Sequence, residues 1–306
     1  MSGADEPARP SRYVSSEIAD QPSAWARAAK LGATDGIRQT LPERGQRAAI
    51  IGCGTSFFMA QSFADLRERS GHGETDAFPA SEFPSRRSYD TVVALTRSGT
   101  TTEVLRLLEK LRNASTPRTV VITADRDAPV IELADDHVLV DFADEKSVVQ
   151  TRFATTSLAL WRAWLGEDLT AVIRQGRSAL TDPLSPRALD SAQFTFLGSG
   201  MSVGIANEAA LKLREASQSW TESYPAMEFR HGPISVVGGS STVWVFGPPP
   251  ARLLEDLQVT GAHVENSDLD PMADLIRAQR LAVALAEVKG LNPDEPRHLS
   301  RSVVLS

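Results

Sequence analysis

Cysteine is nearly absent: the 306 residues contain one, Cys53. One thiol closes no intrachain disulfide and builds no metal cluster, which fits a reducing compartment and makes the cytoplasm the expected location. The five histidines, His72, His137, His231, His263 and His298, show no HxxxH or HxxE spacing, so no metal site is expected. No apolar run approaches the roughly eighteen residues of a membrane span, and no signal-peptide core is present, so neither a membrane partner nor export is expected. Excess positive charge is missing as well. The net charge is -7 without a basic stripe, which argues against nucleic acid as a partner, because phosphate-backbone binding needs a basic surface. GCG (52–54) and GSG (198–200) both fail to complete G-x-G-x-x-G, with Phe57 and Gly204 breaking the spacing, so no dinucleotide or other cofactor is expected.

What is present is an alternation of short apolar strands with helical patterns, which implies βαβ units and a mainly parallel sheet. Strands are predicted at 47–51, 91–96, 118–124, 137–141, 194–198, 242–247 and 262–266, and helices at 55–69, 101–113, 147–165, 201–219 and 271–289. The order strand–GxG–helix occurs at 49 and again at 195, 146 residues later, and the strands at 91 and 242 repeat with a similar offset of 151. Two topologically similar halves follow. The expected boundaries are a tail over 1–20 with a frayed first dozen, a first unit at 21–175, a Pro/Ser/Asp-rich linker at 176–192, and a second unit at 193–306.

The halves differ where chemistry would sit. In the first, TVVALT runs into Arg97-Ser98-Gly99-Thr100-Thr101-Thr102 and then a helix. Backbone N–H groups, the helix dipole and several hydroxyls at such a turn suit a sugar phosphate; the plain alternative is a Ser/Thr N-cap. The second half has GPPP at the equivalent strand end, without hydroxyls, so one phosphate site per chain is expected. In that half, after FTFLG, the Gly198-Ser199-Gly200 turn releases a helix on which Glu208, Lys212 and Glu215 stand at i, i+4 and i+7, hence on one face. Spacing alone allows a solvated stripe whose i,i+4 pair is worth about 0.3–0.5 kcal/mol. A His-Gly-Pro loop at 231–233 follows.

Six segments in one order, SEIADQPSAW (16–25), GCGTSFFMA (52–60), TRSGTTTEV (96–104), EKSVVQTRFATT (145–156), the 196–237 block and VALAEVKGLNPDEPRHLSRSVVLS (283–306), resemble the sugar isomerase (SIS) family. Within it they resemble the isomerase half of glucosamine-6-phosphate synthase and its stand-alone relatives. The resemblance implies an α/β fold of two flavodoxin-like SIS subdomains, each a parallel sheet flanked by helices, with a C-terminal tail over the site. It implies that Glu215 shuttles a proton, that His231 opens the sugar ring, that Lys289 forms a Schiff base, and that Lys212 and Glu208 belong to the active site. It places the phosphate at Thr96, Arg97, Ser98, Gly99 and Thr101, with Gly54, Thr55 and Ser56 from the preceding strand end and Val149 and Gln150 beside the sugar. It also implies a homodimer whose active sites share the His231 loop across subunits.

Two departures bear on the sugar accepted: Arg97 stands where the synthase has glutamine, and Gln150 where it has serine. Ser2 stands where the synthase carries its N-terminal nucleophilic cysteine, so glutamine-derived ammonia is not expected from this chain. The expected function is that of a phosphosugar isomerase of the aminosugar-phosphate deaminase type, acting on glucosamine-6-phosphate or a close analogue. Fructosamine-6-phosphate deglycase and ammonia-independent ketose–aldose isomerase are alternatives, as is a non-catalytic phosphosugar sensor.

Overall fold

The computed structural model describes residues 13–84, 86–112 and 117–305. Its first parallel sheet has five strands: β1 (Ala48–Gly52), β2 (Thr75–Pro79), β3 (Thr91–Leu95), β4 (Arg118–Thr123) and β5 (Asp136–Leu139), in the order β2-β1-β3-β4-β5. The second has four: β6 (Gln193–Gly198), β7 (Trp220–Pro225), β8 (Ser241–Phe246) and β9 (His263–Asn266), ordered β7-β6-β8-β9. The second order repeats the first four positions of the first, so the doubled pattern in the sequence is a doubled topology. Both follow the flavodoxin-like scheme, in which ligands bind beyond the carboxyl ends of the strands where the order reverses. That point lies between β1 and β3 in one sheet and between β6 and β8 in the other.

The helices are α1 (Val14–Gly32), α2 (Asp35–Thr40), α3 (Thr55–Arg69), α4 (Thr102–Arg112), α5 (Val130–Leu133), α6 (Arg152–Trp164), α7 (Thr170–Ala179), α8 (Pro186–Leu189), α9 (Ser202–Ser217), α10 (Leu253–Thr260) and α11 (Pro271–Val288). One continuous apolar core joins the two sheets, running from Ile50, Phe63 and Val93 through Phe153 and Trp161 to Phe196, Trp244 and Leu281. α3 and α9, the helices that leave the two GxG turns, pack directly on each other. Gly204 permits this: a Cβ there would stand 2.2 Å from the Phe58 carbonyl and 2.4 Å from Ser62 Oγ.

Several expected boundaries move. The N-terminal tail is helix from Val14 onward, packed against α6, α7 and α11; Val14, Ile18 and Trp25 are buried, and Asp294 accepts hydrogen bonds from the Tyr13 and Val14 N–H groups. The frayed first dozen lies outside the described residues. The linker at 176–192 holds the end of α7 and all of α8, and Gly176 lies against Trp25. The helix expected from 147 starts at Arg152, because Glu145 takes the first free N–H groups, those of Thr151, Arg152 and Phe153. β2 and β7 are additional strands, each at a sheet edge.

Candidate active site

The turn after β3 is built from its own side chains. Thr96 Oγ1 accepts from the Gly99 N–H at 3.3 Å, and Ser98 Oγ accepts from the Thr100 hydroxyl at 3.0 Å. Gly99 has φ +62, and a Cβ would lie 2.4 Å from that of Ala128, so only glycine fits the tight approach. Thr55 and Ser56, at the start of α3, are buried beside this strand end, with Gly54 (φ +53) completing the neighbouring turn.

The C-terminal tail lies over the turn. The Thr102 N–H donates to the Val303 carbonyl at 3.1 Å, the Leu305 N–H donates to Thr102 Oγ1 at 2.8 Å, and the Thr100 and Ser302 hydroxyl oxygens are 2.9 Å apart. Thr101 Oγ1 is 3.4 Å from the same Ser302 hydroxyl.

Arg97 points inward. Its guanidinium is 1% exposed and donates to the carbonyls of Ser147 (3.0 Å) and Arg301 (2.9 Å), with Glu145 3.8 Å away. Burial pushes its pKa down, and Glu145 opposes that. The side chain thus ties the turn after β3 to the 145–150 loop and to the tail. The loop is held from below by Glu17 of α1, which accepts from the Lys146 N–H at 2.6 Å and from Ser147 Oγ at 2.5 Å. Val149 is buried near Lys212, and Gln150 has its Oε1 buried without a hydrogen-bond partner among the described residues. Glu17, Glu145, Arg301 and Ser302 lie in the quoted motifs, yet sequence reasoning assigned them no part; the only signal was their place in segments flanking the turn.

The ionisable face of α9 is not a solvated stripe. Lys212 Nζ is 2.5 Å from Glu215 Oε2, 3.0 Å from Thr55 Oγ1 and 3.5 Å from Glu208 Oε1. Lys212 and Glu208 are fully buried and the Glu215 side chain is 19% exposed. Burial raises the Glu208 carboxyl to about 8, despite the opposing pull of Lys212, so near neutrality it mostly keeps its proton. Lys212 is pushed down by burial, but its carboxylate neighbours more than compensate and it stays cationic. One ammonium therefore links the first unit, through Thr55 at the start of α3, to Glu215 in the second.

Glu215 also opens onto a cavity of about 420 Å³, lined with it by Arg214, Gln218, Ser219, Arg297 and His298 among others. Arg297 and His298 reach it from the tail and were not singled out from the sequence. Lys289, at the C-cap of α11, donates to the Ser217 carbonyl at 2.9 Å and to Ser219 Oγ at 2.8 Å, so its charge sits at the carboxyl end of α9. His231 is exposed between two short 3-10 turns after β7 and does not line this cavity. Among the described residues no cluster of His, Cys, Asp and Glu is arranged to hold a metal ion, and no helix is long and apolar enough to cross a membrane.

Residues 43–164 match the SIS domain. The chain is 27% identical over 297 residues to the glutamine–fructose-6-phosphate aminotransferase (isomerizing) of Sulfurisphaera tokodaii, covering 85% of this chain and 50% of that protein. The chain spans about half the length of the curated relatives it matches. Among solved structures, glucosamine-6-phosphate deaminase from Thermotoga maritima superposes with a TM-score of 0.81 at 23% identity, covering 95% of this chain and 99% of that one. Tagatose-6-phosphate ketose/aldose isomerase from Escherichia coli gives 0.77 at 20% identity, covering 94% and 97%. The chain thus carries a SIS domain over residues 43–164, is homologous to the isomerase domain of glutamine–fructose-6-phosphate aminotransferases, and shares its doubled flavodoxin-like fold with solved phosphosugar isomerases.

Proposed function

We propose that this chain interconverts the aldose and ketose forms of a 6-phosphorylated amino sugar and releases its nitrogen, a reaction of the glucosamine-6-phosphate deaminase type. The observation that carries the proposal is the Thr55–Lys212–Glu215 chain, in which a carboxylate facing a cavity is backed by a buried cation. In open-chain glucosamine-6-phosphate, Glu215 removes the C2 proton, the C–H electron pair forms the C1=C2 bond of an enolamine, and the C1 carbonyl pair moves onto its oxygen, which takes up a proton. Return of the proton to C1 gives the C2 imine, and water then releases ammonia and leaves fructose-6-phosphate. Lys212 stabilises the carboxylate between these steps. The deglycase reading, in which the nitrogen sits on C1 of a ketose, uses the same proton transfer in the opposite sense. It is favoured by the engagement of Lys289 with Ser217 and Ser219, which commits that amine to hydrogen bonds.

The phosphate in this reading sits at the turn of Thr96, Ser98 and Thr101, with the Ser302 hydroxyl giving way to it. Replacing Ser98 and Thr101 together by alanine should raise KM for phosphorylated sugars more than tenfold, since each hydrogen bond to a charged group contributes about 1.5–3 kcal/mol. An unchanged KM would put the phosphate elsewhere.

We also place His231 in the site of a neighbouring copy, as the group that moves the ring-oxygen proton, because its loop is exposed and lies off the cavity of its own chain. Mixing inactive Glu215→Gln with inactive His231→Ala should then recover about one quarter of native activity, since half of randomly exchanged dimers are mixed and each has one intact site. No recovery after demonstrated subunit exchange would reject the shared site.

A further inference from the structure

Arg97 stands between Thr96 and Ser98 in the turn after β3, where a cation is expected to face an anionic ligand, yet it is turned away from solvent. Its backbone is pinned by the end of β4, because its carbonyl accepts from the Ala124 N–H (3.2 Å) and from Thr123 Oγ1 (3.1 Å). The guanidinium meets three carbonyls from two distant segments: Nη1 donates to Ser147 (3.0 Å), and Nη2 to Arg301 (2.9 Å) and Val148 (3.5 Å). Arg301 returns the contact, its Nε donating to the Glu145 carbonyl at 3.2 Å and its guanidinium pairing with Asp144. Turn, loop and tail thus form a closed circuit of hydrogen bonds crossed by two arginines.

The charges around the circuit fit that arrangement. Two buried carboxylates, Glu145 and Glu17, favour the Arg97 cation together with Asp144, and Arg301 opposes them. Both buried carboxylates are committed to backbone, Glu145 to the N–H groups at the start of α6 and Glu17 to those of Lys146 and Ser147. One arginine therefore compensates them while its planar fork spans carbonyls of two segments, which the point charge of a lysine does not match. What the circuit holds is the part of the site beyond the turn. The 145–150 loop ends in Gln150, whose Oε1 is buried without a donor among the described residues. The tail beyond Arg301 places the Val303 carbonyl on the N–H of Thr102, the first residue of α4.

We infer that Arg97 is a positioning residue of this site: it fixes the 145–150 loop and the C-terminal tail relative to the turn after β3, and it does not itself bind the phosphate. This rests on the proposed reaction, in which Ser98 and Thr101 hold the phosphate and Glu215 moves the proton. Phosphate binding then needs the turn alone. Proton transfer also needs the sugar held in register with Glu215 by the loop and tail around it, so displacing those segments lowers kcat while the hydrogen bonds to the phosphate stay. Glutamine at position 97 has no charge and a shorter side chain, and it reaches at most one of the two segments. Lysine keeps the charge beside Glu145 and lacks the fork. Comparing the two substitutions separates charge compensation from the fork.

The test compares the native protein with Arg97→Lys and Arg97→Gln in three measurements. These are turnover of glucosamine-6-phosphate or fructosamine-6-phosphate, whichever the native protein converts; the dissociation constant for inorganic phosphate; and amide exchange at Thr102 and at Val121 within β4. Both variants should lose about tenfold or more in kcat, with the phosphate dissociation constant within about twofold of native. Exchange at Thr102 should quicken about tenfold more than at Val121, because the Val303 carbonyl leaves its N–H once Arg301 is no longer held. Arg97→Lys keeps the compensating charge, so it reports on the fork even where Arg97→Gln does not fold. A phosphate dissociation constant raised tenfold with kcat unchanged would make Arg97 a phosphate ligand and overturn the inference. Exchange that quickens equally at both amides would make its role one of general stability, and unchanged kcat and exchange would leave it none; either result overturns the inference too. If the native protein converts neither sugar, the proposed function fails, and exchange at Thr102 still decides whether Arg97 holds the tail.

Discussion

Glu215→Gln is expected to lower kcat by about 10²–10⁴-fold while leaving the affinity for phosphosugar nearly unchanged, because a general acid–base group is removed and no phosphate ligand is touched. Glutamine keeps an oxygen for Lys212 Nζ, which is 2.5 Å from Glu215 Oε2, so the cluster need not rearrange. The side chain faces the cavity while its neighbours Lys212 and Glu208 are buried, which makes it the member of the cluster able to meet a sugar carbon. Steady-state kinetics with a separate binding measurement checks this. Near-normal kcat, or a loss confined to KM, would remove Glu215 from the proton-transfer role.

Lys212→Met should have the largest effect on stability. Removing one partner of a buried ionic cluster costs about 3–5 kcal/mol because the remaining charge is left unpaired. The pH dependence is specific. The Glu208 carboxyl is raised to about 8 in the folded chain and has an ordinary value of 4.5 unfolded. Its contribution is therefore fully favourable below 4.5 and is lost as pH rises toward 8, since the unfolded chain sheds the proton first. Lys212 favours the ionised form of Glu208, so its removal carries that loss further up the pH scale. The Lys212→Met defect should be small near pH 5 and full above pH 8, and Glu208→Gln added to it should restore most of the loss at high pH. Denaturant unfolding across pH reads this directly. A defect that ignores pH, or one that Glu208→Gln deepens, would contradict the electrostatic description of the cluster.

How much was legible in the sequence follows from where each residue sits. Strands β1, β3, β4, β6 and β8 occupy interior positions in their sheets and read as apolar runs, because burial on both faces demands it. β2 (TDAFP) and β7 (WTESYP) are edge strands, half open to solvent and ending in proline, so their composition resembles loop. α1 was obscured by Pro22 within it and by a polar face whose Glu17 and Gln21 are buried against partners distant in sequence. The same limit applies at the site. Periodicity placed Glu208, Lys212 and Glu215 on one face, but their burial depends on α3 crossing at Gly204, which no local pattern reports. Arg97 reads in the sequence as a candidate phosphate ligand, and the structure instead turns it inward onto the carbonyls of Ser147 and Arg301, from segments about 50 and 200 residues away. The tail residues at the turn and the cavity are separated from them by most of the chain, and their part emerges only once the tail is folded back.

The claim at the centre of this account is that the chain is a catalyst for 6-phosphorylated amino sugars. It is tested most directly by incubating the native protein with phosphorylated and unphosphorylated amino sugars and ketosamines, and measuring sugar product and released ammonia or amine together. The account predicts the two products in equal amounts, only from 6-phosphorylated substrates, and absent with Glu215→Gln. Tight binding of phosphosugars by the native protein without either product would contradict it and would make the chain a phosphosugar sensor.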